Sequence, residues 1–588
     1  MSDFSTLSQL ICFQASKFNN PKALNFKDNN FWRSFSNQDF LENIFYFACG
    51  LKEIGIEKNH SLAICSYQNP IWLIADLGAI LAGAVTVPIF SNIAFENLSY
   101  QISDAEVKYF FTDNVEVFTK VKNLHPEVKL IVYGFSAEGA IDFEGLILLG
   151  KNAAMAKKYL LQDFERESKP QDLVTIIYTS GSTGKPKGVE LTNCNLVSQI
   201  HDTAIFFPLK NQDVALSFLP LAHIFERMVM LFYITQGISV YFVNDVKNVG
   251  IFLQEIHPTL MTTVPRVMEK VFVKIKDGID LASFFKKIIG KKALKRALTK
   301  NPQHAKNIID KIFDLIIYKK FRAALGGNIR MIICGGASLS PDLERFYVNI
   351  GIKLFCGYGM TETSPVLAAN SPTSYKFSTV GKAFPSVKLK IAADGELLAN
   401  GPNIMRGYHQ QPQKTAETIL DGWLKTGDLA EIDQEGFVKI IGRKKEVFKN
   451  ANGKYVCPVV LEQKLIQNLE FLLGAIIIGE GRKFTSALLF PDFEVLKKFK
   501  NKLKFNSSDA EFLTSEILQN FVQKNIAIIN NHLDHWEQIQ KFYIVPKPIS
   551  IESGEITPSM KLKRNILQER YKNIIEDFYK EHTKLSIF

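Results

Sequence analysis

The chain has no apolar stretch of about 20 residues, the length a helix needs to cross a bilayer. Its longest nearly uncharged run, Leu77 to Phe90, is shorter and carries Gly and Pro, which predicts a buried helix leading into a strand. Cysteine is sparse: Cys12, Cys49, Cys65, Cys194, Cys334, Cys356 and Cys457 are odd in number, scattered and without CxxC spacing. That excludes a disulfide framework or a cysteine zinc site and fits a reducing cytosol. Met1 to Leu10 lacks a basic segment followed by an apolar core, so no secretory signal is expected. No internal repeat or low-complexity tract interrupts the chain.

What is present is a chain of 588 residues, more than one hydrophobic core usually supports, so at least two domains are expected. The net charge of +11 is localised: Lys270 to Arg322 holds fifteen Lys or Arg against four Asp and no Glu, which accounts for the whole excess. Within it Phe284, Ile288, Ile289, Leu294 and Leu298 recur at roughly helical spacing among lysines. This has two readings. One is a basic amphipathic helix suited to an anionic membrane surface on the cytoplasmic side. The other, the commoner meaning of a charge run, is a solvated helical pair capping the core. Little aromatic interleaving and no accompanying motif argue against a nucleic-acid partner.

Short β-rich runs, Val174 to Tyr178, Ser239 to Val243 and Ile329 to Cys334, alternate with amphipathic stretches such as Pro341 to Ile350. Strands crossed by helices make a layered α/β architecture. From Leu389 short strands alternate with turn signals at Asp394-Gly395, Asn400-Gly-Pro402, Asp421-Gly422 and Gln434-Glu-Gly436, the texture of a smaller β-rich subdomain over about 385–442. The composition changes again after Gly442-Arg443. The expected partition is therefore a large domain over 1–442 and a small mobile α+β domain over 443–588.

The densest chemical signal is Tyr178-Thr-Ser-Gly-Ser-Thr-Gly-Lys-Pro-Lys-Gly188 directly after an expected strand. Glycines allow tight turns, Thr179, Ser180, Ser182 and Thr183 offer hydroxyls to phosphate oxygens, and Lys185 and Lys187 neutralise charge. A Walker loop is excluded, because the spacing fails and Pro186 follows the lysine. The run is similar to the phosphate loop of the adenylate-forming superfamily of acyl-CoA synthetases, peptide-synthetase adenylation domains and luciferases. Gly357-Tyr-Gly-Met-Thr-Glu-Thr363 resembles that family's adenine and magnesium segment, Trp423-Leu-Lys-Thr-Gly-Asp428 its ribose segment, and Gly442-Arg-Lys-Lys445 its hinge. The resemblance covers about Phe31 to Asn565. Asp421 to Lys449 with Gly453-Lys-Tyr-Val-Cys-Pro458, and Leu219-Pro-Leu-Ala-His-Ile-Phe-Glu-Arg227, look like the long-chain fatty acyl-CoA synthetase branch. A departure follows Pro458, where Val459-Val-Leu-Glu462 stands in place of that branch's usual charged residues.

Taken alone, Glu362 is an oxygen ligand suited to Mg²⁺, with the Thr361 hydroxyl beside it. Asp428, on an apparent turn, suits both ribose hydroxyls, and Arg443 can add donors. Gly335-Gly336-Ala337 after a strand would let adenine approach the backbone, with Tyr358 stacking. By resemblance, ATP is held by Thr179, Ser180, Gly181, Ser182, Thr183, Gly184 and Lys187, with Gly335, Gly336, Ala337, Gly357, Tyr358, Gly359, Asp428 and Arg443; Thr179 and Glu362 are the Mg²⁺ ligands. Catalysis falls to Lys561, in Gly554-Glu-Ile-Thr-Pro-Ser-Met-Lys-Leu-Lys-Arg564, with Glu362, Thr361 and His223 near the acyl carboxylate. Lys445 is the implied hinge, and Lys449, Gly453 and Lys454 lie toward coenzyme A. The implied reaction joins a long-chain fatty acid to AMP and then to the CoA thiol, an acyl-carrier-protein thiol being the alternative acceptor.

Overall fold

The computed structural model describes residues 3–28, 31–179, 185–245, 248–302, 304, 307–503, 505, 508–557 and 561–580. The chain divides into two compact units. One comprises Met1–Lys390, Leu398–Thr426 and Ile432–Lys439; the other comprises Ile391–Leu397, Gly427–Glu431 and Ile440–Phe588.

The first unit is built on two large sheets. An eight-stranded sheet runs Gly407–Tyr408, Lys187–Thr192, Leu173–Thr179, Val85–Pro88, Ser61–Cys65, Val107–Thr112, Lys129–Val132 and Ile141–Asp142. A nine-stranded sheet centres on the parallel strands Ser239–Phe242, Val214–Ser217, Leu260–Thr263, Met331–Cys334 and Leu354–Gly359. Parallel strands buried on both faces need continuous apolar runs, which is what the sequence supplied at Val174, Ser239 and Ile329. The helix Pro70–Leu81 leads to the strand Val85–Pro88, as the Leu77 to Phe90 run implies. All twelve residues of Pro70–Leu81 are buried, and likewise of Ile224–Thr235. Helices buried on every side lie inside layered proteins, and Pro70–Leu81 touches strands of both sheets.

Between these elements sits one ion pair with no exposure. Arg227 Nε and Nη2 donate to Asp76 Oδ2 and Oδ1 at 2.8 and 2.7 Å. Its Nη1 and Nη2 also donate to Thr175 and Thr86 hydroxyls at 2.8 and 3.1 Å. Burial raises the Asp76 carboxyl pKa, and Arg227 opposes that rise.

A five-stranded sheet takes Lys388–Ile391, Glu396–Asn400, Ile419–Leu420, Trp423–Ile432 and Val438–Arg443. Its turns carry the expected positive φ, at Gly395, at Asp421 with Gly422, and at Gly436. Further along, Leu472–Ile478, Thr485–Pro491 and Ile539–Ile544 form a three-stranded sheet. Alternation splits its core in two. Ile477 and Leu489 pack with Leu461, Leu465 and Val522 on one side, while Ile476, Leu488 and Phe490 pack with Leu567 and Phe578 on the other.

One expectation needs correction. Asp428 lies within the strand Trp423–Ile432 rather than on a turn; the turn signal came from Gly427, which has a φ of 73° inside that strand. The helix Phe284–Thr299 buries Gly290, Ala293 and Ala297 and half-buries Leu294 and Leu298 against the core, leaving Phe284, Ile288 and Ile289 exposed. Gly290 is required there, since a Cβ would meet Ile279 Cγ2 at 2.9 Å.

Candidate active site

In the first unit the strands Leu173–Thr179 and Lys187–Thr192 pair antiparallel, with Thr179 opposite Lys187. Ser180, Gly181, Ser182, Thr183 and Gly184 lie outside the described residues. The hairpin stem therefore brings Thr179 and Lys187 to the base of the expected phosphate loop. The Lys187 ammonium sits 5.1 Å from the centre of the Tyr408 ring, a cation–π separation.

Tyr408 links that stem to Glu362. Its hydroxyl donates to Glu362 Oε1 at 2.9 Å, and the Met405 amide donates to the Glu362 carbonyl at the same distance. Glu362 is buried in the short 3₁₀ turn Thr361–Thr363. Asn403 Nδ2 donates to Thr363 O at 2.9 Å, while His409 N donates to Gly188 O at 2.8 Å. The segment from Asn403 to His409 thus ties the hairpin to the carboxylate turn, and Gly407–Tyr408 extends the sheet beside Lys187–Thr192. At the end of this segment the His409 ring pairs with Glu190 Oε1 at 2.8 Å, which raises its pKa. Nothing in the sequence marked Tyr408; only pairing across 46 residues reveals it.

The wall behind Glu362 is polar. Among the described residues, the buried Gln199 Nε2, Ser364 Oγ and Asn403 Oδ1 have no hydrogen-bond partner. Their other contacts converge on the turn after Glu362: Gln199 Oε1 accepts from Val366 N, and Asn403 Nδ2 donates to Val366 O as well as Thr363 O. The buried Glu362 carboxylate fits Mg²⁺, which favours oxygen ligands.

Gly335 is buried and Gly336 and Ala337 are exposed after the strand Met331–Cys334. A Cβ at Gly335 would meet the Phe225 ring at 3.1 Å, and Gly336 has φ 79°. Gly357, Tyr358 and Gly359 end the strand Leu354–Gly359. Gly359 owes its identity to packing, as a Cβ would lie 1.8 Å from the Pro365 carbonyl. His223 is the N-cap of Ile224–Thr235, its Nδ1 accepting from Phe225 N at 3.2 Å; that acceptor role puts the ring proton on Nε2. Glu226, one turn along, is fully buried. It accepts from Ser217 and Thr262 hydroxyls at 2.6 and 3.1 Å, and burial pushes its pKa up to about 8.

In the second unit, Arg443 Nε lies 3.0 Å from the buried Asp428 Oδ1. Lys561 joins their electrostatic neighbourhood from 118 residues beyond Arg443. The residue as a whole is exposed. Desolvation pulls its pKa down, Arg443 depresses it further, and Asp428 and Glu446 oppose the fall. The Lys561 backbone is bonded to Thr557: Thr557 N donates to Lys561 O at 2.8 Å, and Lys561 N to the Thr557 hydroxyl at 3.0 Å. Arg564 anchors the following turn through Glu462 Oε1 at 2.6 Å, so the departure after Pro458 keeps a structural carboxylate.

Lys445 lies in the turn after Val438–Arg443. Its neighbour Lys444 is fixed by Asp394 and, at 2.8 Å, by Glu396. Lys449, Gly453 and Lys454 belong to the hairpin Phe448–Lys449 and Tyr455–Val456. Gly453 has φ 73°, with open space around it. The two lysines lie over Tyr455 and Trp536, at 4.8 and 5.2 Å from the ring centres.

Residues 13–409 match the AMP-binding enzyme family and residues 446–583 the AMP-binding enzyme C-terminal domain. Relatives include the long-chain-fatty-acid–CoA ligase FadD15 of Mycobacterium bovis, 34% identical over 90% of each chain. The long-chain-fatty-acid–CoA ligase ACSBG1 of Rattus norvegicus is 28% identical over 98% of this chain and 86% of its own. Among solved structures, the anthranilate CoA ligase AuaEII with anthranoyl-AMP has a TM-score of 0.73 at 17% identity, covering 98% of this chain and 99% of that one. The o-succinylbenzoate CoA synthetase of Bacillus subtilis with ATP and magnesium has a TM-score of 0.67 at 19% identity, covering 95% and 99%. The chain belongs to the AMP-binding enzymes, in their long-chain acyl-CoA synthetase branch.

Proposed function

We propose that the residues above carry the two half-reactions of a long-chain-fatty-acid–CoA ligase. In the first, the fatty carboxylate attacks the α-phosphorus of ATP, forming the acyl–O–P bond as the bond to pyrophosphate breaks. Thr179, Lys187 and the loop they flank hold the phosphates. Glu362 and Thr179 hold Mg²⁺, which supplies charge neutralisation at the phosphate oxygens. Tyr408 fixes the Glu362 rotamer, Asp428 and Arg443 receive the ribose, and Gly335 to Ala337 with Tyr358 flank the adenine. Lys561 places its ammonium at the oxygens where charge grows. His223 faces the acyl carboxylate. In the second half-reaction the CoA thiol attacks the acyl carbonyl and AMP leaves; the turn at Lys445 lets residues 443–588 present Lys449, Gly453 and Lys454 to CoA.

The observation that carries this reading is the buried Glu362, tied through Tyr408 and the Asn403–His409 segment to the hairpin stem that sets Thr179 opposite Lys187. We also infer that the protein resides in the cytosol and that residues 270–322 contact anionic membrane at its inner face, supported by the concentration of the whole charge excess there. The test is mass spectrometry of products after incubation with ATP, Mg²⁺, CoA and a graded set of fatty acids. Acyl-CoA with AMP is expected. Acyl-adenylate that accumulates in the presence of CoA and is consumed only by a carrier-protein thiol would favour the alternative acceptor.

A further inference from the structure

We infer that the helical segment 281–320 inserts apolar side chains into an anionic bilayer, beyond adsorbing to it by charge; this rests on the membrane reading above. The helix Phe284–Thr299 turns Gly290, Ala293 and Ala297 inward with Leu294 and Leu298 half-buried beside them, while the large residues of its first half face out: Phe284 is 72% exposed and Phe285 78%, with Leu281 just before them at 88%. Ile288 and Ile289 continue that stripe as exposed residues. A second stripe stands on the segment Ile308–Phe313 and the π-helical turn Asp314–Tyr318 that follows it. Ile308, Ile312, Leu315 and Ile316 recur at helical spacing, and all are exposed. The two elements that carry the stripes are bonded to each other: the Tyr318 hydroxyl donates to the Ala293 carbonyl at 3.1 Å and Arg296 bonds Asp310 at 2.6 Å.

Soluble surfaces rarely gather this much exposed apolar area without a partner. Charge identifies the partner as an anionic lipid surface. The acids that would repel it are neutralised within the segment: Asp280 by Lys287 and Lys291, Asp310 by Arg296 and Lys300, and Asp314 by Arg322. Exposed Lys286, Lys292, Lys295, Lys311, Lys319 and Lys320 lie among the apolar residues, where headgroup phosphates would meet them.

The test is cosedimentation of the full chain with vesicles of phosphatidylcholine alone or with phosphatidylglycerol. Lys286→Gln/Lys292→Gln/Lys295→Gln should weaken binding to the anionic vesicles at least ~10-fold at low salt. Phe284→Ser/Phe285→Ser should weaken it at least as much and remove the part that survives high salt. In a Phe285→Trp variant, emission should shift to the blue with anionic vesicles. If the lysine variant weakens binding while the phenylalanine variant binds normally and no blue shift occurs, insertion is wrong and adsorption stands. If both variants bind like wild type, both readings fall. If the phenylalanine variant instead dissociates an oligomer and binds vesicles normally, the stripe is a contact between copies and the inference is overturned. Acyl-CoA formation from monomeric decanoate, unchanged in every variant, separates these outcomes from loss of fold or of ligase activity.

Discussion

Replacing Arg227 by Met isolates the physics of the innermost ion pair. The substitution keeps most of the volume but strands the Asp76 carboxylate, which has no exposure. Two charged bonds at 2.7 and 2.8 Å vanish. The Thr86 and Thr175 hydroxyls lose a donor, yet each still donates to a carbonyl, Val174 O and Thr86 O. Most of the cost is therefore the uncompensated charge, about 3 to 5 kcal/mol. The carboxyl can escape by staying protonated, which gives the loss a pH signature. Burial already raises the Asp76 pKa against the opposition of Arg227; without Arg227 it rises further. A folded pKa above the unfolded value of about 3.9 means the native state binds the extra proton, so stability falls as pH rises from about 4 to the folded pKa. The gap from wild type should be small near pH 4 and widest at pH 8. Denaturant unfolding followed through Trp72, whose ring lies 5.9 Å from the Arg227 guanidinium, reads it directly. Arg227→Met/Asp76→Leu should regain most of the stability, since an apolar pair replaces a stranded charge. A loss below ~1 kcal/mol at pH 8, or one that does not vary with pH, would refute this account.

Asp428→Ala should weaken ATP use by ~2 to 4 kcal/mol, because ribose hydroxyls and Arg443 lose a buried acceptor; pyrophosphate exchange at the wild-type rate would rule out the ribose role. Lys561→Ala should slow acyl-adenylate formation ~100-fold or more while sparing thioester formation from supplied acyl-adenylate. Lys445→Pro, by fixing φ, should show the opposite pattern, and equal impairment of both half-reactions in both folded variants would end the division of roles. Tyr408→Phe removes one donor to Glu362 and should raise the Mg²⁺ concentration for half-maximal adenylation by a few fold, about 1 kcal/mol, with the circular dichroism spectrum unchanged; an unaltered Mg²⁺ dependence would detach Tyr408 from the metal site.

The layered α/β plan and the strands around Val174, Ser239 and Ile329 were legible because buried parallel strands demand unbroken apolar runs. Asp428 was assigned to a turn because a Gly beside an Asp signals one, and sequence does not distinguish a turn from a strand with a positive φ at Gly427. For the Phe284–Thr299 helix the sequence left a membrane-facing and a core-capping reading open, because which residues turn inward is set by a tertiary fact, the closeness of Ile279 to Gly290. Glu362 and Lys561 were singled out by motif alone. Two pairings escaped because they are distant in sequence: Tyr408 is 46 residues from Glu362 and Asp76 is 151 from Arg227, distances over which no local pattern operates.

The backbone from Asn403 to His409 bonds the turn around Glu362 at one end and Gly188 at the other. It therefore works as a gauge, setting by its length the separation between the hairpin that carries Thr179 and Lys187 and the carboxylate. Inserting or deleting one residue before Tyr408 would reset that separation and turn the Tyr408 side chain to the opposite face of the strand. In this stretch the number of residues is under tighter physical constraint than most of their identities.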